Sequence, residues 1–419
     1  RPALADGRAD RRRRHRAAGR AGLPGDRTGG GGAGVVGTLG VSFNNFSLRN
    51  IPKRNTWTPL PSGDGQKLSI RFQSNGRYFQ SYNMSFTEPW LGGKKPNSLS
   101  VSVFRSVQTD GLKKDDPARS DLTISGASVG LGRRLKWPDD FFTLYHEISF
   151  QNYALNQWSG TFLFTDGSSN NLSFQQTISR NSVDGFIWIR SGSQLSMTLQ
   201  LTPPFSLLDK KTDYATASYN VKYKWIEYHK WRFNSEWYVP IGRPAGADKN
   251  KQFVLKMAAK FGYLGRYNHD LGISPFERFQ VGDAGLSNSF ALLGYDIIAQ
   301  RGYPVYESSD PRVNPDQQGA SQYFTMFNKY TLELRYPFAL NPSSTIYGLS
   351  FFEAANGWYS FRDYNPFKLR RSVGVGMRFF LPMFGLLGFD YGIGFDRYNQ
   401  TSGLKGAAKF TFMLGQEPE

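Results

Sequence analysis

Cysteine is absent from the 419 residues, which excludes a disulfide framework and any thiolate metal site. Histidine is nearly as scarce. The four present (His15, His146, His229 and His269) include no two at metal-ligand spacing. No window comes near the ~18 consecutive apolar residues that a membrane-spanning helix requires. Hydrolytic chemistry would need a nucleophile, a histidine and an orienting partner, and no nucleophile motif stands beside any of the histidines. Gly130-Leu131-Gly132-Arg133-Arg134 has the look of a phosphate loop, but it sits in a strand pattern with no helix behind it, and outside that context the match carries no chemistry. A protein that is not an enzyme is the expectation.

A dense basic element is missing too. Of the net charge of +18, +6 comes from nine Arg against three Asp in residues 1–35, and the rest is dispersed. A nucleic-acid footprint would gather charge on one element, so no nucleic-acid partner is expected. What the chain has in quantity is aromatic residues (16%) and glycine (45 residues), at a mean hydropathy of -0.48. That combination without a helical span fits a transmembrane β-barrel, although these numbers alone also admit a soluble all-β protein.

Residues 1–34 are a low-complexity Arg/Ala/Gly flank that cannot bury enough surface to offset the entropy of ordering it. It has no apolar core of a secretory signal, and whether it is native is left open by the sequence. From Val35 the composition changes and period-2 alternation begins. Leu68, Ile70 and Phe72 alternate with Ser69, Arg71 and Gln73; Leu99, Val101 and Val103 alternate with Ser98, Ser100 and Ser102. Val221, Tyr223 and Trp225, and later Leu332, Leu334 and Tyr336, continue the series against polar neighbours. Side chains in a strand switch faces at each residue, so each segment has one apolar and one polar face.

Strands are expected near 35–47, 65–75, 78–88, 97–107, 120–134, 141–154, 170–181, 192–202, 214–227, 230–239, 251–264, 328–338, 343–353, 368–381, 385–396 and 405–415. That is about sixteen, and single-chain outer-membrane barrels have an even number. Tight turns such as Asn75-Gly76-Arg77 alternate with long polar connections, as on the two rims of a barrel. The polar faces suit a lumen, and Tyr78, Trp225, Trp231, Trp237 and Tyr263 fall where a headgroup belt would sit. The expected fold is all-β: a transmembrane antiparallel β-barrel over residues 35–419, with a long loop at about 265–327 folded into the lumen. Closure would remove the two edges that an open sheet of this size presents.

Four stretches carry a family likeness. They are Val41-Ser42-Phe43-Asn44-Asn45-Phe46-Ser47-Leu48-Arg49-Asn50, Thr87-Glu88-Pro89-Trp90-Leu91-Gly92-Gly93-Lys94-Lys95-Pro96, Ser274-Pro275-Phe276-Glu277-Arg278-Phe279 and Gln300-Arg301-Gly302-Tyr303. With these the sequence resembles the barrel domain of the BamA family of bacterial outer-membrane protein assembly factors, in the versions found in Bacteroidetes, within the superfamily that joins POTRA domains to a barrel. The resemblance runs from about Val35 to Gly415. It implies a cell outer-membrane location in a Gram-negative bacterium. It also implies an insertase that folds client β-barrels into lipid by lateral opening between its first and last strands.

The resemblance assigns Arg301, Gly302 and Tyr303 to a loop latch whose arginine pairs with acidic residues on the wall. By motif these fall on Glu333 and Glu353. Glu333 has polar-face parity, whereas Glu353 shares parity with Leu349 and Phe351 and would need a bulge to point inward. Arginine suits the task because its planar fork bridges two carboxylates and stays charged when desolvated. The implied weak seam falls on Gly37 and Gly40 in the first strand and Gly403 and Gly406 in the last. The implied partners are unfolded outer-membrane β-barrel clients, outer-membrane lipid and accessory assembly proteins acting through POTRA domains. No cofactor, nucleotide or metal is implied. The rival readings are a translocation-type relative (TamA-like or a two-partner-secretion transporter), a passive porin and a lipid-acting barrel enzyme.

Overall fold

The computed structural model describes residues 37–57, 60–93, 96–158, 164–209, 211–245, 251–283, 295–305, 323–341, 344–381, 385–397 and 403–414. The basic flank 1–34 and residues 415–419 lie outside the described residues. The first half of the chain forms β1 (Gly37–Phe46), β2 (Gln66–Asn75), β3 (Phe79–Glu88), β4 (Asn97–Thr109) and β5 (Asp121–Arg134), then β6 (Phe142–Asn156), β7 (Gly167–Asn181) and β8 (Gly192–Leu201). After the short helices α1 (Phe205–Leu208) and α2 (Tyr219–Lys222) come β9 (His229–Ala245) and β10 (Lys251–Gly265). The long loop holds only β11 (Phe279–Val281) and β12 (Asp296–Ile298). Beyond it lie β13 (Met326–Asn341), β14 (Ser344–Trp358), β15 (Arg370–Leu381), β16 (Gly385–Gly394), α3 (Gly403–Ala407) and β17 (Ala408–Leu414).

Fifteen strands form one sheet in chain order from β1 to β17, every neighbour antiparallel, while β11 and β12 pair in parallel on their own. This is one strand fewer than the alternation suggests, and the difference falls at 214–227. There Val221, Tyr223 and Trp225 alternate without forming a strand. Asp213 accepts hydrogen bonds from the Ala215 amide (3.1 Å) and the Thr216 hydroxyl (2.8 Å), a turn device. The chain then coils through α2, burying Tyr223, Ile226 and Tyr228 and placing the Trp225 ring 4.6 Å from Phe205. The seam assignment also changes. Gly403 and Gly406 lie in α3, not in the last strand, and Gly403 takes a φ of 58°, which a strand does not accommodate. Gly37 and Gly40 do lie in β1.

The alternation has a consistent sense. On β13, Tyr330, Leu332 and Leu334 are exposed on one face while Lys329, Glu333 and Arg335 are buried on the other. Apolar outside and polar inside is what a membrane barrel requires. On the polar face Ser42, Ser69, Ser85, Ser102, Ser128, Ser149 and Ser173 stand opposite one another across β1 to β7 in unbroken register. Alternate members share hydroxyl hydrogen bonds, as at Ser102–Ser128 (2.8 Å) and Ser149–Ser173 (2.9 Å).

The sheet curls so that this face surrounds the long loop, because loop side chains touch strands from β6 round to β17. The loop therefore occupies the lumen beside these strands. Phe276, Phe279, Val281, Tyr295 and Ile298 of the loop join Leu122, Ile124, Tyr153 and Phe327 of the wall in one buried cluster. Among the described residues β1 pairs only with β2 and β17 only with β16. With fifteen strands alternating in direction, these two edges run the same way.

Candidate functional site

The register of β13 and β14 creates the acidic site. Glu333 stands opposite Phe351, and Thr331 stands opposite Glu353. The two carboxylates are thus diagonal neighbours on one face, within reach of a single long side chain. The β13–β14 register runs unbroken from Tyr347 to Trp358, and the one shift, at Pro337–Ala339, lies beyond that span, so Glu353 points inward without a bulge beside it. Leu349 and Phe351, which share its parity, point inward too and are buried. A lumen filled by a loop accepts apolar side chains that a water-filled one would not.

Arg301 reaches the inner face of these strands from the loop and is 4% exposed. Its Nη2 donates to Glu333 Oε1 (2.5 Å) and to Glu353 Oε1 (2.7 Å), and its Nε donates to Glu353 Oε1 (3.0 Å). The backbone amide of Arg301 donates to the other Glu353 oxygen at 2.8 Å. The guanidinium carbon lies 3.7 Å from the centre of the Phe351 ring, a cation–π stack that uses the apolar residue of the same row. Asp390 on β16 lies 4.0 Å from Nη1. Burial would pull the guanidinium pKa down, but Glu353, Glu333 and Asp390 outweigh it and hold it above its ordinary range.

The acids have further partners. Arg335 Nη2 lies 2.6 Å from Glu333, Lys329 Nζ lies 3.5 Å from Glu353, and Arg378 grips Asp390 through two bonds of 2.9 Å. The space left beside the cluster is about 20 Å³, room for water but not for an organic ligand. Among the described residues no group of His, Asp and Glu could hold a metal ion.

Gly302 and Tyr303 fix the approach to β16. Gly302 has a φ of 86°, and a Cβ there would lie 3.1 Å from the Gly394 amide and 3.2 Å from the Gly392 carbonyl carbon. Gly392 in turn faces Gly302 so closely that its own Cβ would lie 2.8 Å from the Gly302 nitrogen. The motif glycine and two wall glycines let backbone meet backbone. The Tyr303 hydroxyl lies 2.9 Å from the Arg371 carbonyl and 2.8 Å from Asp396 Oδ2, and accepts from the Asp396 amide at 3.2 Å. Burial and the Asp396 carboxylate push its pKa up, so it keeps its proton and can donate.

The structure thus brings Arg301, Gly302, Tyr303, Glu333 and Glu353 into one place, and leaves Gly37, Gly40, Gly403 and Gly406 outside it. It adds a second anchor two strands along the same sheet, on β9, which strand parity does not predict. Lys230 of β9, 1% exposed, lies 3.0 Å from Glu277 and 3.0 Å from Asp296 of the loop, and Arg232 lies 3.3 Å from Asp296. The charge sense is reversed between the two anchors. The loop supplies acids to β9 and a base to β13 and β14. Glu277 holds a φ of 63°, a left-handed value uncommon for a side chain of its kind, where backbone strain of about 1–3 kcal/mol persists only when surrounding contacts hold it. A sequence signal existed here, since Glu277 lies in the Ser274–Phe279 motif, but nothing in strand parity reaches it.

The family model described as the Omp85 superfamily domain matches residues 62–417. Among solved structures the chain is similar to BamA from Haemophilus ducreyi lacking POTRA domains 1-3, at 16% identity and a TM-score of 0.56, over 90% of this chain and 69% of that one. It is also similar to CdiB from Escherichia coli (12% identity, TM-score 0.48) over 90% of this chain and 58% of that one. For CdiB from Acinetobacter baumannii the values are 12% identity, a TM-score of 0.46, and 90% and 55% coverage. The chain therefore spans little more than half the length of the two CdiB chains. No curated protein matches it in sequence. At these identities the structural likeness concerns the fold.

Proposed function

Because the chain belongs to the Omp85 superfamily and has the fold of an outer-membrane β-barrel, we propose that it is the barrel of a non-enzymatic outer-membrane protein assembly factor. In this reading its latched loop governs lateral opening between the terminal strands. The observation that carries it is the loop pinned inside the lumen by Arg301 to Glu333 and Glu353. A passive porin conducts through an open lumen and has no use for such a latch.

The chemistry of assembly follows from the sheet. A client strand adds to an exposed edge through backbone N–H and C=O groups, so affinity is high while the client's sequence is loosely read. Gly37 and Gly40 make the β1 edge entropically weak rather than sterically special: a Cβ would meet only ordinary contacts there, at 3.7 Å and 3.8 Å. The driving energy is the client's own folding into lipid. Accessory proteins would act through domains outside this chain.

Because the chain has no native cysteine, a cysteine pair can be placed at will. The full-length protein, reconstituted in vesicles with a pair joining β1 to β17, is expected to stop folding an added client barrel when oxidised and to resume when reduced. Full assembly with the crosslink complete contradicts lateral opening. Delivery of the client across the vesicle wall, instead of into it, favours the translocation-type reading.

A further inference from the structure

The loop does not stop at β16. Asp283, which follows β11, accepts the Thr411 hydroxyl through its Oδ2, and its backbone carbonyl accepts from Lys409 Nζ. The Lys409 ammonium also lies 3.4 Å from Asp283 Oδ2. Both partners belong to β17, the strand at the end of the sheet. Asp283 and Thr411 are buried. A second link runs beside the first: Arg397 Nη1 donates to the Gly302 carbonyl at 2.9 Å and to the Ala407 carbonyl at 3.2 Å, tying the motif to the residue before β17.

Asp283 is also locked to the latch through backbone. Its amide donates to the Tyr303 carbonyl at 2.6 Å, the two segments form a parallel bridge at Pro304, and the Gly282 amide donates to Ile298 at 2.9 Å. A Cβ at Gly282 would lie 2.8 Å from the Val305 Cα, so the segments are in direct contact. A shift of Asp283 alone would break its backbone hydrogen bond to Tyr303. The carboxylate that reaches β17 and the guanidinium that reaches β13 and β14 thus sit on two segments joined by backbone hydrogen bonds.

We propose that Asp283 is a positioning residue that tethers the terminal strand β17 to the lumen loop, so that the seating of Arg301 sets how readily the C-terminal edge of the sheet is released. The tether stands on the contacts themselves, and only its consequence for client insertion rests on the assembly reading. It assigns the loop a mechanical output: when the latch leaves its acids, Asp283 leaves Lys409 and Thr411, and among the described residues β17 is then paired with β16 alone.

Hydrogen exchange of the full-length protein in vesicles reads this directly. Asp283→Ala is expected to speed exchange of the amides of residues 408–414 on the order of tenfold, a change of about 1.4 kcal/mol in opening, while β13 and β14 keep their protection. Asp283→Asn, which retains an acceptor for Thr411, is expected to fall between. If Asp283→Ala does not assemble, the variant Lys409→Met with Thr411→Val reads the same contact from the strand, and combining it with Asp283→Asn should add little. Unchanged exchange in β17 overturns the tether. So does equal acceleration throughout 326–414, because Asp283 would then only stabilise the wall at large. Faster exchange in β17 with unaltered client insertion leaves the tether standing and removes the edge-release reading of function.

Discussion

At Gly302 two constraints meet that no other residue type satisfies. The φ of 86° disfavours a side chain, and the nearest backbone atoms of β16 leave no ordinary contact distance for one. Gly302→Ala is accordingly expected to cost about 1–3 kcal/mol, seen as a lower urea midpoint for unfolding in detergent. A Gly-to-Ala exchange at Gly40, where space and backbone permit it, should be neutral or slightly stabilising. The contrast isolates a packed contact from glycine's general flexibility. Arg301 presents the opposite case, a residue whose worth lies in charge. A buried ion pair is weak evidence of net stability, yet removing one partner from a buried pair is costly because the others stay buried. Glu333 retains Arg335 and Glu353 retains Lys329, which limits the loss.

Among elements, the loop is held at two charged anchors of opposite sense, one on β9 and one on β13 and β14. Its β9 end depends on Asp296, whose carboxyl is pushed up by burial but held below its ordinary value overall by Lys230 and Arg232. A carboxyl depressed in the folded state contributes fully above the ordinary carboxyl range and loses its contribution as pH falls through the folded value. The stability difference between the wild type and Asp296→Asn should therefore be constant at neutral and mildly acidic pH. It should shrink only below about pH 4, as measured by urea unfolding across pH. A difference that already fades near neutrality contradicts the anchor.

Parity made Glu333 legible and left Glu353 in doubt, because the sequence reading treated every apolar residue as lipid-facing. The plugged lumen breaks that rule: Phe351 is apolar and inward because Arg301 stacks on it. The same reasoning explains the extra strand at 214–227, where aromatic alternation reflects burial against the loop instead of against lipid. Asp283 and Asp296 were out of reach, because loop residues have no period to read and their partners lie far away in the chain, and Glu277 was marked only by its motif.

For the whole molecule, the sheet was legible because all fourteen pairings among its fifteen strands follow chain order, and alternation gives each strand its faces. What the sequence could not convey is how the ends of the sheet relate. In the described residues the two edges are unpaired with each other and run in the same direction, while the loop holds the C-terminal one from inside.

The most direct test of that account is the initial rate at which the full-length protein folds an added client barrel into vesicles, compared between wild type, Arg301→Lys and Arg301→Ala at equal amounts of folded barrel. The account expects Arg301→Ala to lose on the order of tenfold or more in rate, equivalent to about 1.4 kcal/mol in barrier. Arg301→Lys should recover only part of that loss, because an ammonium keeps the charge but cannot fork between Glu333 and Glu353. A rate for Arg301→Ala equal to that of the wild type would contradict the latch as the governing element of the barrel.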